Sequence, residues 1–312
     1  MKACVDIGGT KVAVSLAEPG SRVLHARQSE PTAKTGDNDA VALQVLRLID
    51  AACAEAGVAP ARNEGVGVAS AGPFVLNDGC VELATPNICG GIAGPARGLP
   101  NDWMTAILEA PLRQRFARVR VENDGVGALE AERRWGALQG FAHCAYVTWS
   151  TGVGVGLCVD GRILRGKNGN AGHAGHSFVG YDTGEDNANA LCGCGNVGDV
   201  EGLAAGNAIA RRFGQDARQL LTAAVAGEPQ ALATVDALVR VMGRMLYNLI
   251  ATLDLQRISL GGGVFWHHRD FLLPRLSAQL DGKLPPLTRG ALLVPAGLGD
   301  KVGDYAALAL LD

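Results

Sequence analysis

Charge is scarce in this chain and nearly balanced. Of its 312 residues, 28 are Lys or Arg and 31 are Asp or Glu, a formal net charge of −3. Holding nucleic acid or an anionic membrane by its field takes a cationic excess that is missing here, so neither is an expected partner. Long apolar runs are missing as well: no stretch approaches the roughly 18 residues needed to cross a bilayer. No basic n-region, apolar h-region or small-residue cleavage site precedes the first strand-like segment, and the expected address is cytoplasmic. No block repeats with a period of about 20–50 residues. No Gly-x-x-x-x-Gly-Lys-Ser/Thr loop occurs, and the glycines at 261–263 do not fit Gly-x-Gly-x-x-Gly. P-loop and dinucleotide folds are therefore disfavoured.

What is present is apolar residue, at 48%, and glycine, at 43 positions, the composition of a globular, loop-rich chain long enough for two domains. Of the eight cysteines, Cys4, Cys53, Cys144 and Cys158 lie in apolar segments and read as small core residues. Cys192 and Cys194 instead share a glycine-rich loop.

Apolar alternation predicts a meander over 3–8, 11–17 and 22–30, and a helix over 39–56. A buried strand at 64–70, an irregular loop at 77–100, a helix near 101–116, a strand at 118–122 and a helix from 125 to 137 come next. Strands at 142–148 and 153–159, a glycine-rich segment at 166–199 and a helical stretch from 200 to about 252 make up most of the remainder. The chain closes with a strand at 258–260, a helix near 268–281, a strand at 292–295 and a helix at 302–311. Strands, glycine turn and helix occur in both halves, which predicts two α/β lobes with a cleft between them.

Three glycine-bearing turns carry the functional signal. The first is Asp6-Ile7-Gly8-Gly9-Thr10-Lys11, straight after Ala3-Cys4-Val5. Glycine lets backbone N–H groups approach and surround an anion, although the same pattern also serves as an ordinary hairpin turn. The second is Ser150-Thr151-Gly152-Val153-Gly154-Val155-Gly156, again a hydroxyl-and-glycine tip joining two strands. Facing each other across a cleft, two such hairpins could hold successive phosphates of ATP. The third is Gly261-Gly262-Gly263, where a strand feeds a helix and bare backbone could carry a ribose or base.

Val119-Arg120-Val121-Glu122-Asn123-Asp124-Gly125 ends a strand in a polar triplet. Groups outside strand carboxyl ends line the ligand crevice of an α/β sheet. Asp124 could accept the proton of an attacking hydroxyl while Asn123 holds its neighbour; both residues are also good helix N-caps. Phosphoryl transfer needs mainly positioning and charge neutralisation, so one aspartate, Mg²⁺ and backbone donors suffice. His176, Cys192, Cys194 and Asp199 cluster as His…Cys-x-Cys-Gly-x-x-Gly-Asp, a donor set for structural Zn²⁺, or else a loop of free thiols.

In their order along the whole chain these pieces resemble the ROK family of sugar kinases. Asp6-x-Gly-Gly-Thr-Lys11 is similar to the family's first phosphate motif, Ser150-Thr-Gly-Val-Gly154 to its second, and Leu260-Gly-Gly-Gly-Val264 to its adenosine segment. Thr85-Pro86-Asn87 and Glu122-Asn123-Asp124 resemble its sugar loop and catalytic segment. Ala171-Gly-His173-Ala-Gly-His176 and Cys192-x-Cys-Gly-x-x-Gly-Asp199-x-Glu201 resemble the signature joining sugar pocket and zinc.

The resemblance implies the two-lobe actin-like ATPase (ribonuclease H-like) fold, an α/β architecture. Residues 1–117 with about 298–312 would form the small lobe, and 118–297 the large one. It implies ATP- and Mg²⁺-dependent phosphorylation of a hexose hydroxyl, usually O6, by a homodimer. Asp124 would be the base. Gly72, Asn87, Asn123, Asp124, His173, His176 and Glu201 would contact sugar. Asp6, Gly8, Gly9, Thr10, Lys11, Thr151, Gly152, Gly154, Gly261, Gly262 and Gly263 would serve ATP, with Asp6 positioning Mg²⁺. Zinc would take His176, Cys192, Cys194 and Asp199.

Two positions depart from the family pattern. Asp199 stands where the family has a third cysteine. His173 stands where glucokinase-like members have glutamate, and Ala-Gly-His-x-Gly-His resembles the N-acetylmannosamine kinases, as does Ala69-Ser70-Ala71-Gly72. A carboxylate accepts from two hydroxyls, whereas imidazole offers one donor and one acceptor. The expected substrate is therefore N-acetylmannosamine, with glucose or a related hexose as the alternative. A sugar-binding regulator without catalysis is a further alternative. The family's repressors carry a helix-turn-helix ahead of the first phosphate loop. Here that loop starts at residue 6 and both loops and Asp124 are present, so the kinase branch is expected.

Overall fold

A computed structural model describes residues 1–60, 64–93, 98–180 and 190–312. Positions 94–97 of the expected 77–100 loop and 181–189 of the glycine-rich 166–199 segment lie outside the described residues. The chain divides into two compact units: 1–131 with 165–171 and 303–312, and 132–164 with 172–302.

In the first unit, the expected meander forms as β1 (Lys2–Ile7), β2 (Lys11–Ala17) and β3 (Leu24–Pro31). Alternation puts Ala3, Val5, Ile7, Val12, Val14 and Leu16 on one buried face, where α1 (Ala40–Glu55) packs Val41, Val45, Leu48, Ile49 and Ala52 against them. Each such aliphatic side chain contributes about 1.5–3 kcal/mol by leaving water. β4 (Gly65–Ser70) then adds parallel to β1.

The expected irregular loop contains a small antiparallel sheet. β5 (Phe74–Asn77) and β6 (Cys80–Leu83) form a hairpin over Asp78 and Gly79, whose φ values of 48° and 75° are those of a type I′ turn. After α2 (Gly90–Ala93), the helix expected over 101–116 is cut to α3 (Glu109–Arg115). Its first part is instead β7 (Ala106–Ile107), drawn out as a strand by pairing with Glu82 and Leu83 of β6. Ahead of it, Asn101 pins the chain: its carboxamide donates to Lys34 O and Ile88 O and accepts from Gly90 N and Trp103 N.

β8 (Val119–Asn123) pairs in parallel with β4, and α4 (Asp124–Trp135) continues from it without a break. Where 117 was the expected boundary, backbone pairing commits β8 to the first sheet, and the division into compact units falls inside α4, after Ala131. The first sheet has the order β3-β2-β1-β4-β8. The C-terminal helix, Val302–Ala309, belongs from Gly303 onward to this unit, with Ala306 against Gly127 and Ala307 against Gly67.

The second unit repeats that plan without sequence repetition. β9 (Cys144–Trp149), β10 (Val153–Val159) and β11 (Arg162–Ile163) form a meander, and β12 (Arg257–Gly261) and β13 (Leu292–Pro295) add in parallel, giving β11-β10-β9-β12-β13. The expected helical stretch resolves into α5 (Val200–Ala204), α6 (Gly206–Phe213), α7 (Ala217–Val225) and α8 (Pro229–Leu253). Gly214 ends α6 at φ 68°, an Asp216/Gln219 capping box starts α7, and Pro229 opens α8. α9 (Gly263–Trp266), α10 (Arg269–Ala278) and α11 (Pro285–Thr288) complete it. Glu132, fully buried, ties this unit together by accepting from Ala137 N, Ser259 Oγ, Gly297 N and Leu298 N.

Candidate active site and metal cluster

The parallel strands bring the first unit's polar residues together. Ile7, Ser70 and Asn123 occupy one level across β1, β4 and β8, so the residues just beyond each strand emerge at a common edge. Behind β1 comes Gly8-Gly9-Thr10, behind β4 Ala71-Gly72, and behind β8 Asp124. This is where an α/β sheet offers its ligand crevice.

The first glycine loop is a closed turn. Gly8 N donates to Lys11 O at 2.8 Å, and Thr32 Oγ1 donates to Gly8 O at 2.7 Å. Gly9 is needed for contact as well as for flexibility: a Cβ there would lie 2.6 Å from Asn87 Cβ. The expected sugar loop thus sits directly on the expected phosphate loop. Thr85 holds it there, with Oγ1 donating to Ala71 O and its carbonyl accepting from Ile88 N and Cys89 N. Asn87 and Asp124 are exposed, and Asn123 is buried with Oδ1 accepting from Gly125 N at 3.0 Å. Asp124 Oδ1 also accepts from Gly125 N, at 2.8 Å, so both residues partly cap α4, the other role open to them.

Asp6 lines a cavity of about 10 Å³ with Ser15, Arg27 and Asp304, room for about one water. Burial pushes its carboxyl above the usual range, with Asp304 adding to that and Lys11 and Arg27 opposing it. Thr10 and Lys11 are exposed.

In the second unit, Ser150 N donates to Gly152 O at 2.9 Å, and Gly206 N and Asn207 N of α6 donate to Ser150 O and Thr151 O. Gly154 lies on β10 opposite Thr148. Gly261 ends β12, and Gly262 takes φ 88° with Trp149 and Thr148 so close that a Cβ would lie 2.6 Å from Thr148 Oγ1. Gly263 is exposed at the start of α9. The two glycine turns are therefore packed together.

The predicted metal ligands converge. One donor atom from each of His176, Cys192, Cys194 and Asp199 lies within 4.8 Å of the others. His176 Nδ1 is 3.2 Å from Asp199 Oδ2 and 3.4 Å from Cys192 Sγ, and Cys194 Sγ is 3.6 Å from Asp199 Oδ2. Tetrahedral zinc with bonds of about 2.0–2.3 Å has ligand–ligand edges of about 3.3–3.8 Å, so the donor set fits. Asp199 is fully buried and divides its oxygens: Oδ1 caps α5 by accepting from Gly202 N at 2.7 Å, and Oδ2 faces the cluster. Burial pushes its carboxyl up, but hydrogen bonds from His176, Gly202, Cys192 and Asn196 outweigh this and hold it below the usual range. The Asp199 contact raises His176, opposed by burial, and burial drives the Cys192 thiol up.

His173 and His176 stack with ring centroids 5.9 Å apart and planes at 24°. Glu201 links the cluster to the second glycine loop: Oε2 accepts from Val153 N at 2.9 Å and Oε1 from Cys192 Sγ at 3.5 Å. Sequence reasoning missed Asn101, which fixes the backbone flanking the sugar loop, and Thr32, which braces the first glycine loop. A lone Asn or Thr in a loop carries no signal of its own; only contacts distant in sequence reveal it.

Comparison with known proteins finds sugar kinases that match most of this chain. The chain is 32% identical over 272 residues to an N-acetylmannosamine kinase of Salmonella newport, covering 83% of this chain and 82% of that one. It is 29% identical over 333 residues to a glucokinase of Aeropyrum pernix, covering 98% and 95%. The structure of a ROK family glucokinase from Streptomyces griseus in complex with glucose and AMPPNP is 26% identical, covering 99% of this chain and 98% of that one with a TM-score of 0.72. The fold is thus the two-lobe actin-like ATPase type. The ROK family model matches residues 2–312, and the chain belongs to the ROK family.

Proposed function

We propose that this chain is an ATP-dependent hexose kinase, with N-acetylmannosamine as substrate and O6 as the phosphorylated hydroxyl. The observation that carries the reading is the shared edge of β1, β4 and β8, with Asn87 seated on Gly9. It supports reading Asn87 as the amide that holds a sugar hydroxyl, Gly8–Lys11 as the turn for a phosphate and Asp124 as the nearby carboxylate.

In this reading Gly72, Asn87 and Asn123 hold sugar hydroxyls on the first unit, and His173, His176 and Glu201 are the sugar-facing residues of the second. Asp124 accepts the proton of the attacking hydroxyl as its oxygen bonds to the γ-phosphorus and the bond to ADP breaks. Backbone N–H groups of Gly8–Lys11 and Thr151–Gly152 hold phosphate oxygens, Gly154 shapes the second loop, and Gly261–Gly263 carry the adenosine. Asp6 would position Mg²⁺, whose charge would offset that of the phosphates. Zn²⁺ held by His176, Cys192, Cys194 and Asp199 is structural: it fixes the loop and the orientation of His176. A homodimer in the cytoplasm fits the family. Among the described residues no helix is long and apolar enough to cross a membrane.

Glucose is the second reading, favoured by the glucokinase relatives. His173 separates the two. ADP release with ATP, Mg²⁺ and a panel of hexoses is the test. N-acetylmannosamine is expected to give the highest kcat/KM, and His173→Glu is expected to move the ratio toward glucose. Asp124→Asn should lower kcat by about 10²–10⁴ while sugar binding survives. Full turnover in that variant removes Asp124 from the base role, and no sugar-dependent ADP release by the wild type sinks the kinase reading.

A further inference from the structure

Residues 165–171 come after β11 in the chain, yet they belong to the first unit. Two side chains fasten them there. Arg165 Nε donates to Glu122 Oε1 at 2.7 Å, and the Glu122 side chain is only 8% exposed. Asn170 makes a reciprocal pair with one residue: Nδ2 donates to Phe74 O and Oδ1 accepts from Phe74 N, both at 2.7 Å. A side-chain amide that gives to and takes from a single residue reproduces the bonding of an antiparallel strand partner. Here it does so at Phe74, on the edge strand of the β5-β6-β7 sheet. The segment is also closed on itself. Ala171 N donates to Arg165 O at 3.0 Å, across turns made by Gly166 and Gly169 at φ 70° and 76°.

Both anchors fall next to proposed site residues. Glu122 lies two residues before Asp124, and Phe74 lies two residues after Gly72. The chain leaving the segment runs straight into Gly172 and His173. A loop needed only for connection would not require two matched polar clasps, one of them on a nearly buried carboxylate.

We propose that residues 165–171 are a positioning strap for phosphoryl transfer. Asn170 sets the Gly72–Phe74 turn that faces the sugar, and Arg165 sets the strand end that carries Asp124. Neither touches the reacting atoms. The strap deepens the sugar-kinase reading and rests on it for its kinetic consequences, whereas its structural content can be measured without turnover.

The experiment compares Asn170→Ala, Arg165→Ala and Arg165→Lys with the wild type by amide hydrogen exchange and by steady-state kinetics. Asn170→Ala should speed exchange at Phe74 roughly tenfold or more, and Arg165→Ala should do the same across Glu122–Gly125, with β2 and β3 unchanged. In kinetics, Asn170→Ala should raise the sugar KM roughly tenfold and leave the ATP KM within about twofold. Arg165→Ala should lower kcat roughly tenfold to a hundredfold, since small misplacements of a catalytic group cost that much. Arg165→Lys, which keeps a charge opposite Glu122, should recover part of it. If Asn170→Ala does not fold, Asn170→Ser replaces it, a polar side chain too short to pair with Phe74 N–H and C=O.

Wild-type exchange at Phe74 and at Glu122–Gly125 in these variants overturns the strap. So does a lowered Tm with kcat and both KM values unchanged in every variant, the mark of a purely structural loop. Failure of the kinase reading looks different: the wild type then releases no ADP with any sugar, while the exchange data still decide whether the strap holds its two segments.

Discussion

At the scale of single residues, a charge held away from water costs stability. Asp6 is held in the interior of a β-sheet, and burial raises its carboxyl above the usual aspartate value. A raised acid is favoured in its protonated form by folding, so its contribution to stability is lost as pH climbs from about the unfolded value through the folded one. At neutral pH the native state therefore carries the cost of a buried charge. Asp6→Asn is expected to raise Tm at pH 7, with a gain that shrinks as pH falls toward about 4, while turnover is lost. Thermal melts across that pH range check this. A lower Tm at pH 7 would mean that Arg27 and Lys11 more than compensate for burial. Asp6 was legible in the sequence because its glycine turn has counterparts at 150–156 and 261–263. Glu132 was not: nothing local distinguishes it from its solvated helical neighbours, and its role comes from Ser259, Gly297 and Leu298, more than 120 residues away.

At the scale of elements, the clearest case is the loop that carries Cys192 and Cys194. Its described residues have almost no regular structure: an isolated bridge between Leu191 and Val197, then α5, only five residues long. A helix that short does not stand by itself. Asp199 holds its start with one oxygen and faces the donor cluster with the other. The donor cluster and the helix are thus joined through one carboxylate. Asp199→Asn preserves an oxygen for the cap but removes the charged donor. It should lower bound zinc by elemental analysis, with helix content by circular dichroism unchanged. Asp199→Ala should cost a further ~1 kcal/mol for the lost cap. Chelation of the wild type should lower its Tm, and a Tm indifferent to chelator would dismiss a structural metal. The Cys-x-Cys spacing announced this loop. The fate of 101–116 was hidden because helical propensity lost to strand pairing with β6, a tertiary effect.

The whole molecule is one plan used twice. Each unit has a three-strand meander joined by two parallel strands, and in each the first hairpin carries glycines and hydroxyls. A ligand that binds only the native state stabilises it by mass action, about 2.7 kcal/mol at about 100 times its Kd. N-acetylmannosamine is accordingly expected to raise Tm by several degrees, and glucose by less at equal concentration. Equal shifts would remove the proposed preference, and no shift with any hexose would remove the sugar site.

The sequence by itself determined the first meander, the long helices, the glycine turns and which residues are candidate metal donors. Those come from periodicity and from residue chemistry, which act over a few positions. Tertiary structure alone decided that Asn87 rests on Gly9 and that β8 joins the first sheet. It alone decided that 165–171 fasten to Phe74 and Glu122. Such pairings depend on backbone hydrogen bonds and close contacts between segments far apart in the chain, and no local pattern of residues encodes them.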